Sequence, residues 1–203
     1  MDKNRTLSEK TVLADPFRQF ALWYKEHLSA VVQYPDAVYL ATTSKEGRVS
    51  ARTVLLKGFS ESGFLFFTNY NSKKGKQLSE NKYSAMLFYW PESGRQVRIE
   101  GYTEKVSSEE SEEYFKTRPR DSQIGAWASE QSSTIPDRSY LDSRVEFFKK
   151  KFSGKSVEKP GYWGGFRLIP DSMEFWQEGE YRLHNRILYT KKTDSWLIER
   201  LSP

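Results

Sequence analysis

Between Ala37 and Val106 the chain repeats one pattern: a short apolar or alternating run, then a tight polar turn. "AVYLATTS" alternates, and "KEGR" turns the chain at Gly47. "VSARTVLLKGF" is rich in β-branched and apolar residues, and "SESG" leads into "FLFFTN", ending at Asn69. "SAMLFYW" and "RQVRIEGYTEKV" follow, joined through "PESG". Runs of this kind, bounded by Gly, Ser, Pro and Asn, read as strands. Their even spacing and tight turns favour a closed antiparallel barrel over a parallel sheet.

Helical patterns flank these strands. "ADPFRQFALWYKEHLSAVVQ" carries a good N-cap in Asp15 and a first-turn proline in Pro16. Phe17, Phe20, Tyr24, Leu28 and Val31 recur at helical spacing, with His27 on or near that face as a packed or surface histidine. Ser72 opens a short helix in "SKKGKQLSEN". "SSEESEEYFKTR" starts with Ser107 and Glu110 at capping-box spacing and stops at Pro119. "SQIGAWASEQSS" is ambiguous, while "SYLDSRVEFFKKKF" is an amphipathic helix with Lys149, Lys150 and Lys151 on a solvated face. Strands return in "YWGGFRLIP", "SMEFWQ", "RLHNRILYT" and "SWLIERL". With no linker or repeat, residues 15–203 are expected to form a single, mainly β domain with peripheral α-helices. Residues 1–14 are expected to be a flexible N-terminal segment.

A chain of 203 residues can bury a real core. It has no cysteine, which excludes disulfides, thiolate metal sites and a cysteine nucleophile. Its two histidines, His27 and His184, lie far apart, which argues against a zinc centre. "MDKNRTLSEK" lacks an apolar run, and no segment is long enough to span a bilayer, so a cytoplasmic protein without membrane association is expected. A net charge of +5 points to anionic ligands, whether polymers or small phosphates.

Several cations fall where an anion could meet them. Arg52 and Lys57 are five apart in "RTVLLK", on opposite faces of an ideal strand, and could equally be exterior charge. Lys73 and Lys74 follow Ser72 at a helix start, where free N–H groups favour phosphate, although surface lysines are common there. Tyr114, Arg118 and Ser122 are four apart and could hold a small phosphate, or mark a helix end with exposed charge. Gln131, Ser132 and Ser133 suit phosphate or amide recognition, but equally a turn. In "EFWQEGEYRLHNRI", Arg182, His184 and Arg186 would share one face if "RLHNRI" is a strand. Such a row is costly to bury without an anionic ligand.

Taken together, "RTVLLK", "FFTNYNSKKGKQL", "RQVRIEG", "YFKTRPRDSQIGAW", "SEQSS", "WGGFRL", "EFWQ", "RLHNR" and "RLSP" resemble the pyridoxine 5′-phosphate oxidase family in order, over about Asp15 to Pro203. The resemblance implies an FMN-binding split β-barrel, antiparallel and Greek-key-like. It also implies an FMN-dependent oxidase working as a homodimer with FMN at the interface. Carried over, Arg52, Lys73 and Lys74, with Gln131 and Ser132, would bind the FMN phosphate. Phe67, Thr68 and the backbone of Arg52, Thr53, Val54, Leu55, Leu56 and Lys57 would lie along the flavin. Gln96 would hydrogen-bond the isoalloxazine, and Trp176 and Arg186 would close the flavin site. Lys57, Tyr114, Arg118 and Ser122 would hold a substrate phosphate. Arg182 and His184 would be the catalytic pair, facing the pyridine ring.

The sequence departs from the family pattern in Asn185, where Asp is usual, in Lys73, where Arg is usual, and in lacking an Arg-Arg-x-Tyr segment before the barrel. The expected reaction oxidises pyridoxine and pyridoxamine 5′-phosphates to pyridoxal 5′-phosphate, with O2 as acceptor and hydrogen peroxide released. Alternatives are an FMN oxidase of another ring, as in phenazine biosynthesis, and a flavin-storing or haem-handling barrel. A basic single-strand nucleic-acid binder is a further class, but the RNP-type aromatic signature is absent.

Overall fold

The computed structural model describes residues 6–30 and 33–203. The local capping signals operate where the sequence places them. Asp15 accepts from the Phe17 N–H at the start of α1 (Pro16–Leu28), Ser72 from Gly75 at α2 (Lys73–Glu80), and Ser107 from Glu110 at α3 (Ser108–Thr117). Each side chain satisfies a first-turn N–H that the helix itself leaves unpaired. α1 buries Phe17, Phe20, Trp23 and His27. Leu28, expected on that face, is exposed because the helix ends there; Val31 lies outside the described residues. His27 is packed, stacked on Trp90 with ring centroids 5.1 Å apart, and its Nε2 meets the Pro35 carbonyl at 3.0 Å.

The strands are β1 (Ala37–Thr43), β2 (Val49–Leu55), β3 (Gly58–Ser60), β4 (Gly63–Asn69), β5 (Tyr83–Trp90), β6 (Arg95–Lys105), β7 (Trp163–Gln177), β8 (Asn185–Lys191) and β9 (Trp196–Leu201). Between β6 and β7 lie α3, α4 (Arg120–Ala128) and α5 (Arg138–Lys151). Every pairing is antiparallel, in the order β2-β1-β5-β6-β7-β4-β3, with β8 joining β7 to β9. The sheet curls but stays open, with β2 and β3 at its ends, so the expected closed barrel is a split one.

Three strand expectations change. "VSARTVLLKGF" is two strands, β2 and β3, with a corner at Leu56 and Lys57. There the Leu56 N–H donates to Asp36 and the Lys57 N–H to Leu65, off the β1 ladder. "YWGGFRLIP" and "SMEFWQ" are one strand, β7. Pro170 sits opposite Gly101, where the register slips after Glu100, so the ladder does not need the missing N–H. "RLHNRILYT" becomes a strand only from Asn185. Before it lies a short turn, Glu180–Arg182, with Tyr181 at φ 54° and Arg182 at φ 64°.

One core lies between α1 and the sheet and is dense in aromatics. Phe20 meets Phe64 and Phe88 edge-on at 5.0 and 4.9 Å. A second core, with Phe115, Ile124, Phe148, Phe152 and Trp163, fixes α3–α5 against β7. Residues 7–13, expected to be flexible, are anchored at several points, although Glu9, Lys10 and Leu13 stay exposed. Leu7 is buried and donates its N–H to Gln177, Glu9 pairs with Arg200, and the Tyr189 hydroxyl donates to the Leu13 carbonyl.

Candidate functional site

A cleft of about 660 Å³ opens between the end of β2, the end of β4 and the α3–α4 corner. Thr53, Val54 and Leu55 form one wall, and Phe67 another. Phe67 stacks on Tyr114 at 4.0 Å and on Trp163 at 5.3 Å, so the second core holds the aromatic wall rigid.

Cap and strand together deliver the first cation. Ser72 starts α2 so that Lys74, in its first turn, points inward and is only 9% exposed. Its Nζ donates to Thr68 Oγ1 and Gln131 Oε1, both at 3.1 Å. Arg52 lies close by and donates to the Leu40 carbonyl, Thr42 Oγ1 and Gln77 Oε1 at 3.1, 2.6 and 3.3 Å. Among the described residues, no carboxylate pairs with either cation. Burial, and then the Arg52 charge, pulls the Lys74 pKa down to about 8. Burial also lowers that of Arg52.

A third cation is Arg118. Pro119 breaks the helix as expected, so Tyr114 and Ser122 lie on different helices, with Arg118 extended between them. The break nevertheless brings all three to the cleft. The Arg118 guanidinium lies 4.7 Å from the Trp163 ring centroid, and its Nη1 is buried without a hydrogen-bond partner. Burial depresses its pKa as well. A half-buried guanidinium held by an aromatic face, with one nitrogen short of an acceptor, has the chemistry to take an anion.

Other expected residues fall differently. Lys57 lines the cleft, but its ammonium is bonded to Asp36 at 2.5 Å. Lys73 and Ser132 are exposed and line no part of the cleft; Ser132 sits in a turn at φ 73°. Leu56 is 4% exposed and belongs to the core, while Thr53, Val54 and Leu55 before it and Lys57 after it reach the cleft.

Gln96, Trp176 and Arg186 sit directly across from one another on β6, β7 and β8. His184 packs 4.6 Å from the Trp176 ring, and its Nδ1 accepts from the Gly179 N–H at 3.3 Å. The expected row of Arg182, His184 and Arg186 on one strand face is not formed. Alternation holds only in extended backbone, and the left-handed Tyr181 and Arg182 turn the chain before β8 begins. None of this second group lines the cleft of Lys74 and Arg118, so one chain presents the expected site as two separate parts.

Sequence reasoning missed the partners that hold these cations: Asp36, Thr42, Gln77 and Glu174. Only Glu174 had a signal, standing two residues before Trp176 on the same strand face. Asn185, the departure in "RLHNR", accepts from Arg200 at 3.0 Å. Among the described residues, no helix is long and apolar enough to cross a membrane, and no group of three acidic, His or Cys residues could hold a metal.

Residues 24–151 match the family model described as pyridoxamine 5′-phosphate oxidase, and residues 163–203 match the pyridoxine 5′-phosphate oxidase C-terminal dimerisation region. The chain is 52% identical, over 95% of its length and 97% of the relative's, to the pyridoxine/pyridoxamine 5′-phosphate oxidase of Coxiella burnetii. It is 51% identical to that of Burkholderia lata, over 98% of this chain and 94% of the other. Among solved structures, PhzG from Burkholderia lata 383, in complex with tetrahydrophenazine-1-carboxylic acid, superposes with a TM-score of 0.91. It is 28% identical and covers 98% of each chain. A pyridoxamine 5′-phosphate oxidase-related, FMN-binding protein from Nostoc punctiforme shares the fold, at a TM-score of 0.72 and 20% identity, over 95% of this chain and all of that one.

Proposed function

The chain belongs to the pyridoxamine 5′-phosphate oxidase family, and from that premise we propose that it is an FMN-dependent oxidase of pyridoxine and pyridoxamine 5′-phosphates. It acts as a cytoplasmic homodimer and yields pyridoxal 5′-phosphate and hydrogen peroxide. The observation that carries this reading is the pair of cations, buried Lys74 and half-buried Arg118, that share one cleft lined by no carboxylate. Two phosphate esters bring roughly four negative charges near neutral pH, which such cations offset. The cleft volume suits a cofactor and a small ring.

The donor set fits FMN. Arg52, Lys74, Thr68 and Gln131 would hold its phosphate, with Lys73 and Ser132 at the rim. Gln96, Trp176 and Arg186 would meet the ring. When bound, FMN supplies the redox chemistry, accepting a hydride from the substrate 4′ carbon and passing electrons to O2. The protein supplies orientation and charge. Arg118, Tyr114 and Ser122, with Lys57, would bind the substrate phosphate, while Arg182 and His184 contact the pyridine. The split of these residues into two parts within one chain supports assembly across a dimer, one subunit's second part completing the other's cleft.

A second reading keeps the fold and FMN but oxidises a phenazine precursor, favoured by the superposition on PhzG. The unpartnered Arg118 Nη1 favours a phosphorylated substrate instead. The test is anaerobic: load the protein with FMN and add pyridoxine 5′-phosphate. Bleaching of the flavin band, reversed by air with pyridoxal 5′-phosphate formed, is the expected result. Bound flavin that never bleaches would rule out this substrate.

A further inference from the structure

The strand face that carries Gln96 and Trp176 also carries an acid with no role in the reading above. Glu174, in β7, is 3% exposed. Its Oε1 accepts from Arg186 Nε at 2.7 Å, and its Oε2 lies 2.7 Å from Arg98 Nη2. The register explains the grouping: Arg98 is opposite Glu174 on β6, and Arg186 is opposite the neighbouring Trp176 on β8. Arg186 is held a second time, since its Nη1 donates to the Ser202 carbonyl at 2.9 Å. Its Nη2 is then the guanidinium nitrogen with no partner among the described residues.

We propose that Glu174 is a positioning residue: it fixes Arg186 with one guanidinium edge presented to the flavin ring and, together with Arg98, sets the charge that the ring meets. The inference rests on the reading of Arg186 as a flavin contact. A planar guanidinium held at two nitrogens has little freedom left, so its remaining N–H groups point one way. Arg98 also pairs with Glu100 Oε1 at 3.4 Å, so two guanidiniums are balanced by two carboxylates, of which Glu174 is the one shared between them. Glu174 itself is buried away from screening water, so the loss of its charge is felt strongly by a neighbouring ring.

The sign of each perturbation follows. Glu174→Gln keeps the shape but removes one negative charge and leaves Arg186 without its carboxylate, which favours a reduced, anionic flavin and raises its midpoint potential. Arg98→Gln removes a cation and leaves Glu174 to neutralise Arg186, which lowers that potential. A carboxylate serving the fold alone would change thermal stability and leave the potential where it was.

The experiment is an anaerobic redox titration of FMN bound to the wild-type protein and to both variants, against a reference dye. The expected result is an upward shift in E174Q. Should E174Q fail to fold, the downward shift in R98Q carries the same test. An unmoved or oppositely shifted potential in the folded variants overturns the proposal while the FMN reading stands. Wild-type protein that takes up no FMN overturns both.

Discussion

Replacing Lys74 by Met should stabilise the flavin-free protein and, in the same stroke, loosen FMN. The ammonium is 9% exposed and bonded only to Thr68 and Gln131. Burial and Arg52 lower its pKa from 10.5 to about 8. At about 1.4 kcal/mol per unit, holding the charge in the folded state costs at most on the order of 3 kcal/mol, less with water screening at the exposed Gln131 side. Losing two neutral-acceptor hydrogen bonds takes back about 2 kcal/mol. The net gain of about 1 kcal/mol corresponds to a Tm rise of about 2–4 °C for a domain of this size.

The pH dependence has a definite sign. A lowered ammonium pKa means that the unfolded chain binds the extra proton, so the penalty is full below about pH 8 and fades as pH rises towards 10.5. The advantage of K74M in a melt at pH 7 should therefore shrink and reverse at higher pH. Against this, loss of a charge-assisted bond to phosphate weakens FMN by roughly ten- to a hundredfold at pH 7. Melts of the flavin-free protein and FMN fluorescence titrations measure both. A K74M protein less stable at pH 7, with unchanged FMN affinity, would refute the assignment of Lys74 as an unpaired phosphate cation.

Other outcomes are open to direct test. Arg182→Ala or His184→Ala should impair turnover while FMN stays bound, read from steady-state rates per bound flavin; flavin loss with unchanged turnover per flavin would reverse the division. Arg118→Gln should raise KM for the phosphorylated substrate by roughly tenfold or more, with a smaller effect on FMN affinity. A mixture of Arg118→Gln and His184→Ala chains, each impaired alone at low substrate, should regain activity when refolded together if each cleft draws on two subunits. Gly101→Ala should lower Tm by several degrees, since its Cβ would lie 2.0 Å from the Ile169 carbonyl oxygen at the β6–β7 bulge.

What the sequence disclosed was mostly local. Asp15, Ser72 and Ser107 could be read as caps because a cap needs only its own next few residues. Pro119 announced the α3–α4 break for the same reason. Pro170 misled, because nothing local says that a bulge opposite Gly101 will excuse its missing N–H. The face formed by Arg182, His184 and Arg186 failed at the left-handed Tyr181 and Arg182, residues whose types give no warning of that backbone. The types of residue that can bind phosphate were visible as motifs. Their partners were not, since Asp36, Thr42 and Gln77 reach Lys57 and Arg52 from a turn, a strand and a helix 10 to 25 positions away.

The anchored arm at residues 7–13 has a consequence for how the molecule is made. Its anchors are Gln177, Tyr189 and Arg200, and Glu9 stands 191 positions from Arg200. A ribosome adding about 5–20 residues per second holds these partners apart for on the order of ten to forty seconds. Through that interval the arm lacks these anchors, and Asn185, 15 positions before Arg200, is made only at its end. Docking of the arm and fixing of the β7–β8 turn that carries Arg182 and His184 are therefore bound to come late in translation, and together.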